Sequence, residues 1–106
     1  MAKYLFTTTY TPEGLRGLLK DGGSGRVDAA RKATESVGGH LDAMYFSFGD
    51  QDVYLICELP DNKAAAAISL AVGASGGANC KTVVLLTSEE VDRAAREAVD
   101  FRAPGA

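Results

Sequence analysis

Two glycine pairs, Gly38-Gly39 and Gly76-Gly77, divide this chain of 106 residues at points where a helical pattern stops and a strand pattern begins. Glycine readily adopts the left-handed backbone conformation that ends many helices, so each pair predicts a helix C-terminus. Runs rich in aromatic and β-branched residues stand before the first helical pattern and after each pair, which is typical of strands. The chain therefore alternates between strands and helices.

The complete pattern contains four strands and three helical regions in the order β-α-β-β-α-β-α. The predicted strands cover residues 3–10, 40–48, 52–59 and 80–86. The predicted helical regions cover residues 12–37, with a break at the glycine-rich stretch 22–25, then 63–74 and 89–99. A short hairpin turn, Gly49-Asp50-Gln51, joins the second and third strands.

Each helix has a candidate cap at its start, where free backbone N–H groups need acceptors. The candidates are Thr11, Asp61 or Asn62, and Thr87, with Glu90 placed to complete a capping box. The helix starts are therefore predicted independently of the apolar periodicity.

The first six elements follow the split βαβ pattern. They predict an α+β fold: a ferredoxin-like βαββαβ sandwich with a four-stranded antiparallel sheet and an extra C-terminal helix. A chain of 106 residues is long enough for one modest core. We expect a single domain over residues 1–106, with its core at about 3–100 and a short flexible C-terminal tail.

Charge and composition argue against several classes of function. The net charge is −3 and no basic stripe is present, so we expect no nucleic-acid partner. No apolar run reaches membrane-spanning length, and polar residues 7–9 cut short any secretory signal, so we expect no membrane partner. Cys57 and Cys80 lack metal-ligand spacing and resemble small buried hydrophobic residues of a cytoplasmic protein. We therefore expect a cytoplasmic location, no metal and no cofactor.

Both faces of the predicted sheet carry large apolar side chains. On the third strand one face is uniformly apolar, while the other alternates Asp52 and Glu58 with Tyr54 and Ile56. A helix-free face of this kind exposes more apolar surface than a monomer usually tolerates. We therefore expect a homo-oligomer, a dimer or higher, that covers this face with a second copy. The alternative is a monomer in which the C-terminal helix folds over the face.

Several separated blocks of the chain together resemble the GYD-domain family of small bacterial proteins. They are residues 46–54, 10–15, 59–62 with the alanine-rich helix that follows, and 81–91. The resemblance implies a ferredoxin-like fold akin to the dimeric α/β-barrel proteins, and it implies no settled activity. Gly49 and Asp52 match the glycine and aspartate of the family's Gly-Tyr-Asp motif, whereas Gln51 stands at the tyrosine position.

Two residues are candidates for catalysis. His40, the only histidine, has a side chain suited to a general base near neutral pH, and it could also ligate a metal. The alternative is a solvated residue after a helix stop. Asp52 could act as a base on a half-buried face, or could instead bond the N–H groups of the hairpin turn. Glu58 on the same face could pair with Lys81.

Three tyrosines, Tyr10, Tyr45 and Tyr54, are candidates for binding a planar ligand, although tyrosines more often anchor a core or an interface. The stretch 22–26, Gly-Gly-Ser-Gly-Arg, could cradle a phosphate or could simply be a break between helical segments.

Three hypotheses follow. The first is a homo-oligomer that binds a small organic molecule at the open sheet face or at a subunit interface. The second is a cofactor-independent oxygenase or isomerase of the dimeric α/β-barrel type, with His40 or Asp52 as base. The third is a structural assembly module.

Overall fold

A computed structural model describes residues 1–106 and shows four strands and three helices in the predicted order. The elements are β1 (Ala2–Tyr10), α1 (Pro12–Ser36), β2 (His40–Phe46), β3 (Val53–Leu59), α2 (Asn62–Ala74), β4 (Ala78–Leu85) and α3 (Ser88–Ala95). The strand order in the sheet is β2-β3-β1-β4, and every neighbouring pair is antiparallel. The fold is therefore α+β and ferredoxin-like with an extra C-terminal helix, as predicted.

The predicted caps are present at all three helix starts. The Thr11 side chain accepts a hydrogen bond from the backbone N–H of Gly14, and the Asp61 carboxylate accepts one from Ala64. Asp61, rather than Asn62, is thus the cap of α2. Thr87 and Glu90 form the full capping box of α3.

The predicted break in the first helical region is confirmed at Gly22, where two helical segments meet at a kink within α1. At Gly22 the backbone has φ 74° and ψ 166°, and the chain is helical on both sides. This combination of angles is essentially restricted to glycine, because a side chain would collide with the neighbouring backbone. Gly22 therefore lets the chain change direction between the two helical segments.

The core lies between the sheet and the helices. We call this side of the sheet the covered face; it carries Tyr4, Phe6, Cys57 and Leu59, none more than 2% exposed. Ala64 and Ala65 of α2 complete the buried cluster. Small alanine side chains let α2 approach the sheet closely.

The opposite side, which we call the open face, carries side chains from all four strands. They include Leu5, Tyr45, Tyr54, Ile56, Glu58 and Val83. Three of its large apolar side chains are substantially exposed: Tyr45 at 71%, Val83 at 44% and Tyr54 at 38%. The predicted apolar open face is therefore present in the subunit.

A β-bulge in β2 changes which residues face the helices. The pairing with β3 shifts register between Leu41 and Ala43, so Asp42 is an extra residue. Simple alternation placed Leu41 and Met44 on opposite faces. In the structure they are paired with Cys57 and Leu55, which both lie on the covered face. β2 also ends at Phe46, so the connection to β3 is longer than the predicted hairpin turn.

The C-terminal helix does not fold over the open face. α3 has no buried residue, and residues 91–106 are exposed throughout. The radius of gyration is 16.8 Å, compared with roughly 13 Å for a compact chain of about 100 residues. The segment after β4 thus extends away as an arm, and the cover of the open face by the C-terminal helix, predicted as an alternative, is not formed. No helix is both long and apolar enough to cross a membrane.

Candidate functional site

A groove runs over the covered face between α1 and α2. α1 packs mainly on β2 and α2 mainly on β4, the two outer strands, so the central strands face the gap between the helices. The groove contains a cavity of about 130 Å³, and 13 of its 16 lining residues are hydrophobic. Its floor is formed by all four strands, through Phe6, Thr8, Met44, Val53, Leu55, Cys57 and Cys80.

The walls of the cavity explain why the space is not filled. Ala29, Ala30 and Ala33 line it from α1, whereas Ile68 and Val72 line it from α2. Alanine side chains are too short to bridge two helices that pack on opposite edges of the sheet. The gap is thus a consequence of small residues on α1 combined with the wide spacing of the helices.

The mouth of the groove is more polar. A second, more open cavity of about 420 Å³ shares Tyr10 and Arg26 with the first, and its lining adds Asp21 and Ser75. An Arg26 guanidinium nitrogen lies 3.5 Å from an Asp21 carboxylate oxygen, and both side chains are roughly 40% exposed. Burial raises the pKa of the Tyr10 hydroxyl, and the neighbouring Arg26 partly offsets that rise. The groove therefore runs from an apolar floor to a mouth with one cation.

Both cysteines face this cavity as free thiols. Burial raises the pKa of Cys57 to about 11, and burial also raises the pKa of Cys80. Because the thiolate is the reactive form, both thiols act as apolar lining rather than as nucleophiles at neutral pH.

A charged cluster lies on the open face where β1, β2 and β3 meet. The Lys3 ammonium contacts Asp42 at 2.6 Å and Glu58 at 2.9 Å. Nε2 of His40 lies 3.5 Å from Asp42 and 3.4 Å from Glu58. Hydrogen bonds to Asp42 and Glu58 raise the pKa of Lys3, and the bond from Lys3 lowers the pKa of Glu58. The predicted partner of Glu58, Lys81, is wrong, because Lys3 lies directly opposite Glu58 in the sheet.

The same cluster is the arrangement that most resembles a metal site. One potential ligand atom from each of His40, Asp42 and Glu58 lies within 4.8 Å of the others. The Lys3 ammonium already donates a hydrogen bond to each of the two carboxylates. A metal ion would have to displace this lysine, so the cluster is arranged as an ion-pair network.

Asp52 of the signature stretch binds the end of β1. Its carboxylate accepts a hydrogen bond from the backbone N–H of Tyr10 at 2.8 Å, and its own N–H donates to Thr8. The predicted bonds to the turn N–H groups are not formed. Just before Gly49, Phe48 has φ 63°, which is uncommon for an aromatic residue. The signature stretch thus ties the β2–β3 connection to the strand end that borders the groove.

The predicted site residues fall into three places. Tyr10 lines the groove and bonds to Asp52, whereas Tyr45 and Tyr54 are paired across β2 and β3 on the open face. His40 is paired with Glu58 near the far end of β3, about 20 Å from Asp52 at strand spacing. The structure therefore does not bring His40 and Asp52 together, and their catalytic roles stay predictions.

Comparison with known protein families agrees with the resemblance found in the sequence. The family model described as the GYD domain matches residues 4–95. The chain belongs to the GYD-domain family. Searches of curated proteins and of solved structures found no significant match. The matched region of this GYD-domain protein includes most of β1, the other three strands, the groove and the cluster residues other than Lys3, but leaves out the end of the arm.

Sequence reasoning missed the cavity in this GYD-domain protein. It treated Arg26 only as part of a possible phosphate cradle and gave the alanines of α1 no functional role. The available signal was the small size of Ala30 and Ala33, which line the cavity where leucine or isoleucine would fill the space. Small residues in the middle of a core-facing stripe indicate either close packing or a cavity, and the structure shows a cavity.

Proposed function

We propose that this GYD-domain protein binds a small, largely apolar organic molecule in the groove between α1 and α2. The observation that supports the proposal is the cavity of about 130 Å³ with a lining of mostly hydrophobic residues. Pre-formed apolar cavities with a few polar groups at one end are the usual form of small-molecule sites. Catalysis by His40 or Asp52 is left out of the proposal, because neither residue lines this cavity.

The volume suggests the size of the molecule. An apolar cavity of about 150 Å³ stays dry and accepts a benzene ring. The inner cavity, at about 130 Å³, is of similar size and opens toward the larger polar mouth. A molecule with one ring or a short branched chain would fill it and displace no tightly held water.

We also propose that the protein acts as a homo-oligomer. The open face exposes Tyr45 and Val83, and the arm exposes Val99 and Phe101, each at more than 40%. A second copy placed on the open face would bury these apolar groups, which favours association by about 25 cal/mol per Å² before entropic costs. The free thiols Cys57 and Cys80 agree with a cytoplasmic location, which is part of the same proposal.

Ligand binding can be tested by titrating the protein with toluene and phenol while recording NMR spectra of its methyl groups. We expect shifts at Met44, Leu55 and Ile68, which line the cavity. Ala30→Phe should abolish binding by filling the space. Ala66→Phe places the same ring on the exposed side of α2 and should leave binding unchanged.

Two results would count against this site. One is the absence of binding at millimolar probe concentration. The other is binding that persists in Ala30→Phe but is lost in Tyr54→Ala, which would move the ligand to the open face or to a subunit interface.

Association can be tested by sedimentation velocity at micromolar concentration. We expect an oligomer that Val83→Asp dissociates, because the substitution places a carboxylate on the open face. Leu70→Asp, at a residue 73% exposed on α2, is the matched control and should leave the oligomer intact. A monomeric wild-type protein would contradict the proposal.

A further inference from the structure

The polarity of the groove changes sharply along its length. The inner cavity is lined almost entirely by apolar side chains, and Arg26 is its only charged residue. The outer cavity shares Arg26 and Tyr10 with the inner one and continues toward Asp21 and Ser75. A molecule that fills the inner cavity therefore ends beside a guanidinium group.

The hydrogen-bond donors of Arg26 are largely free. A guanidinium group carries five N–H donors in a planar fork that matches a carboxylate. The nearest acidic group, Asp21, lies at 3.5 Å, which is longer than the 2.7–2.9 Å typical of charge-assisted hydrogen bonds. Both side chains are substantially exposed, so this ion pair is weak. A carboxylate arriving from the groove could form two short bonds in its place.

Tyr10 adds a second donor at the same point. Tyr10 lines both cavities beside Arg26. A tyrosine hydroxyl keeps its proton at neutral pH, and burial raises the pKa of this one further, so it can donate to an anion. Asp21 lines the mouth as an opposing charge, and the Asp52 carboxylate also acts on the Tyr10 hydroxyl.

We propose that the preferred ligands are small organic acids, with an apolar body in the inner cavity and a carboxylate bound by Arg26 and Tyr10. The proposal rests on the function proposed above and adds the chemical class of the ligand. It also makes Arg26 the residue that determines specificity. An uncharged molecule of the same shape would fill the cavity but leave the guanidinium without its anion.

Benzoate and benzamide separate the two proposals, because they share a ring and a planar head group but differ in charge at pH 7. Calorimetric titration should show that the wild-type protein binds benzoate about tenfold more tightly than benzamide. Arg26→Met should remove this preference, so that the two probes bind with similar affinity. Arg31→Met is the matched control, because Arg31 lies on the same helix, pairs with Asp28 and does not line the groove.

Asp21→Asn provides a second test that does not remove the cation. Loss of the competing carboxylate should strengthen benzoate binding more than benzamide binding. Equal affinities for the two probes, unaltered in Arg26→Met and Asp21→Asn, would overturn the acid preference while leaving the apolar site in place. Failure of both probes to bind would overturn the proposed site itself and the acid preference with it.

Discussion

Both faces of the sheet carry large apolar side chains, but the two faces differ in what lies against them. On the covered face, α1 and α2 bury Tyr4, Phe6 and Leu59 almost completely and leave a cavity only where the helices diverge. On the open face, no element of the same subunit covers Tyr45 or Val83. A few large apolar side chains therefore do not mark the inner face of this sheet, whereas the uniformly apolar row of β3 does.

Thiol reactivity should show the largest difference between the faces. With its pKa raised to about 11, Cys57 is about one part in a thousand thiolate at pH 8. The double variant Cys80→Ser/Val83→Cys carries Cys57 on the covered face and one new thiol on the open face. Reaction with dithiobis(nitrobenzoate) in protein dilute enough to be monomeric should proceed in two phases whose rates differ by about a hundredfold or more. A single fast phase would show that the covered face is accessible.

Replacing a leucine by alanine should lower the free energy of unfolding more on the covered face than on the open face. Leu59→Ala removes a side chain that is 0% exposed and should lower the free energy of unfolding by about 2–5 kcal/mol. Leu85→Ala, on the half-buried open face, should cost no more than about half as much in dilute protein. Urea denaturation at two protein concentrations measures both. If the open face is a subunit interface, only the Leu85→Ala effect grows with concentration.

A substitution at the kink tests how the covered face is built. Gly22→Ala forces a side chain into a backbone conformation reserved for glycine and should destabilise the protein by about 1–3 kcal/mol. Gly17→Ala, at a helical position with nothing within 4 Å of the added methyl group, should be neutral or stabilising by up to about 1 kcal/mol. Thermal denaturation of the two variants would contradict this view if both behaved alike.

The smallest effect should come from the charged cluster on the open face. Since the folded-state pKa of Glu58 is lowered, its contribution to stability is present above its ordinary pKa of 4.5 and is lost as the pH falls through the folded value. Since the pKa of Lys3 is raised, its contribution is present below 10.5 and is lost as the pH rises through the folded value. Lys3→Met should therefore be least stable relative to wild type at neutral pH.

The control for this prediction is Lys81→Met, which removes an exposed lysine from the same face. Its stability should follow that of wild type across the pH range. If the difference in free energy of unfolding between Lys3→Met and wild type stayed constant from acid to alkaline pH, the charges of the cluster would not contribute to stability.

Local signals in the sequence were sufficient for the fold. The caps at Thr11 and Thr87 and the glycine pairs set the ends of the helices, because each depends on a few neighbouring residues. The candidate site depends on long-range geometry. The distance between α1 and α2 creates the cavity, and no local pattern encodes that distance. The sequence predicted that the Asp52 carboxylate bonds to the neighbouring turn. It instead accepts a hydrogen bond from the Tyr10 N–H, 42 positions away, and no local pattern indicates such a distant partner.

The bulge at Asp42 has a consequence for how deletions act on this protein. It lets His40 and Tyr45, an odd number of positions apart, occupy the same face of the sheet. Deletion of Asp42 would restore regular alternation and leave every other side chain of β2 on its present face. Deletion of Ala43 or Met44 instead would exchange inside for outside on one side of the cut. Deletion at the bulge should therefore be far better tolerated than deletion of either neighbour that follows it.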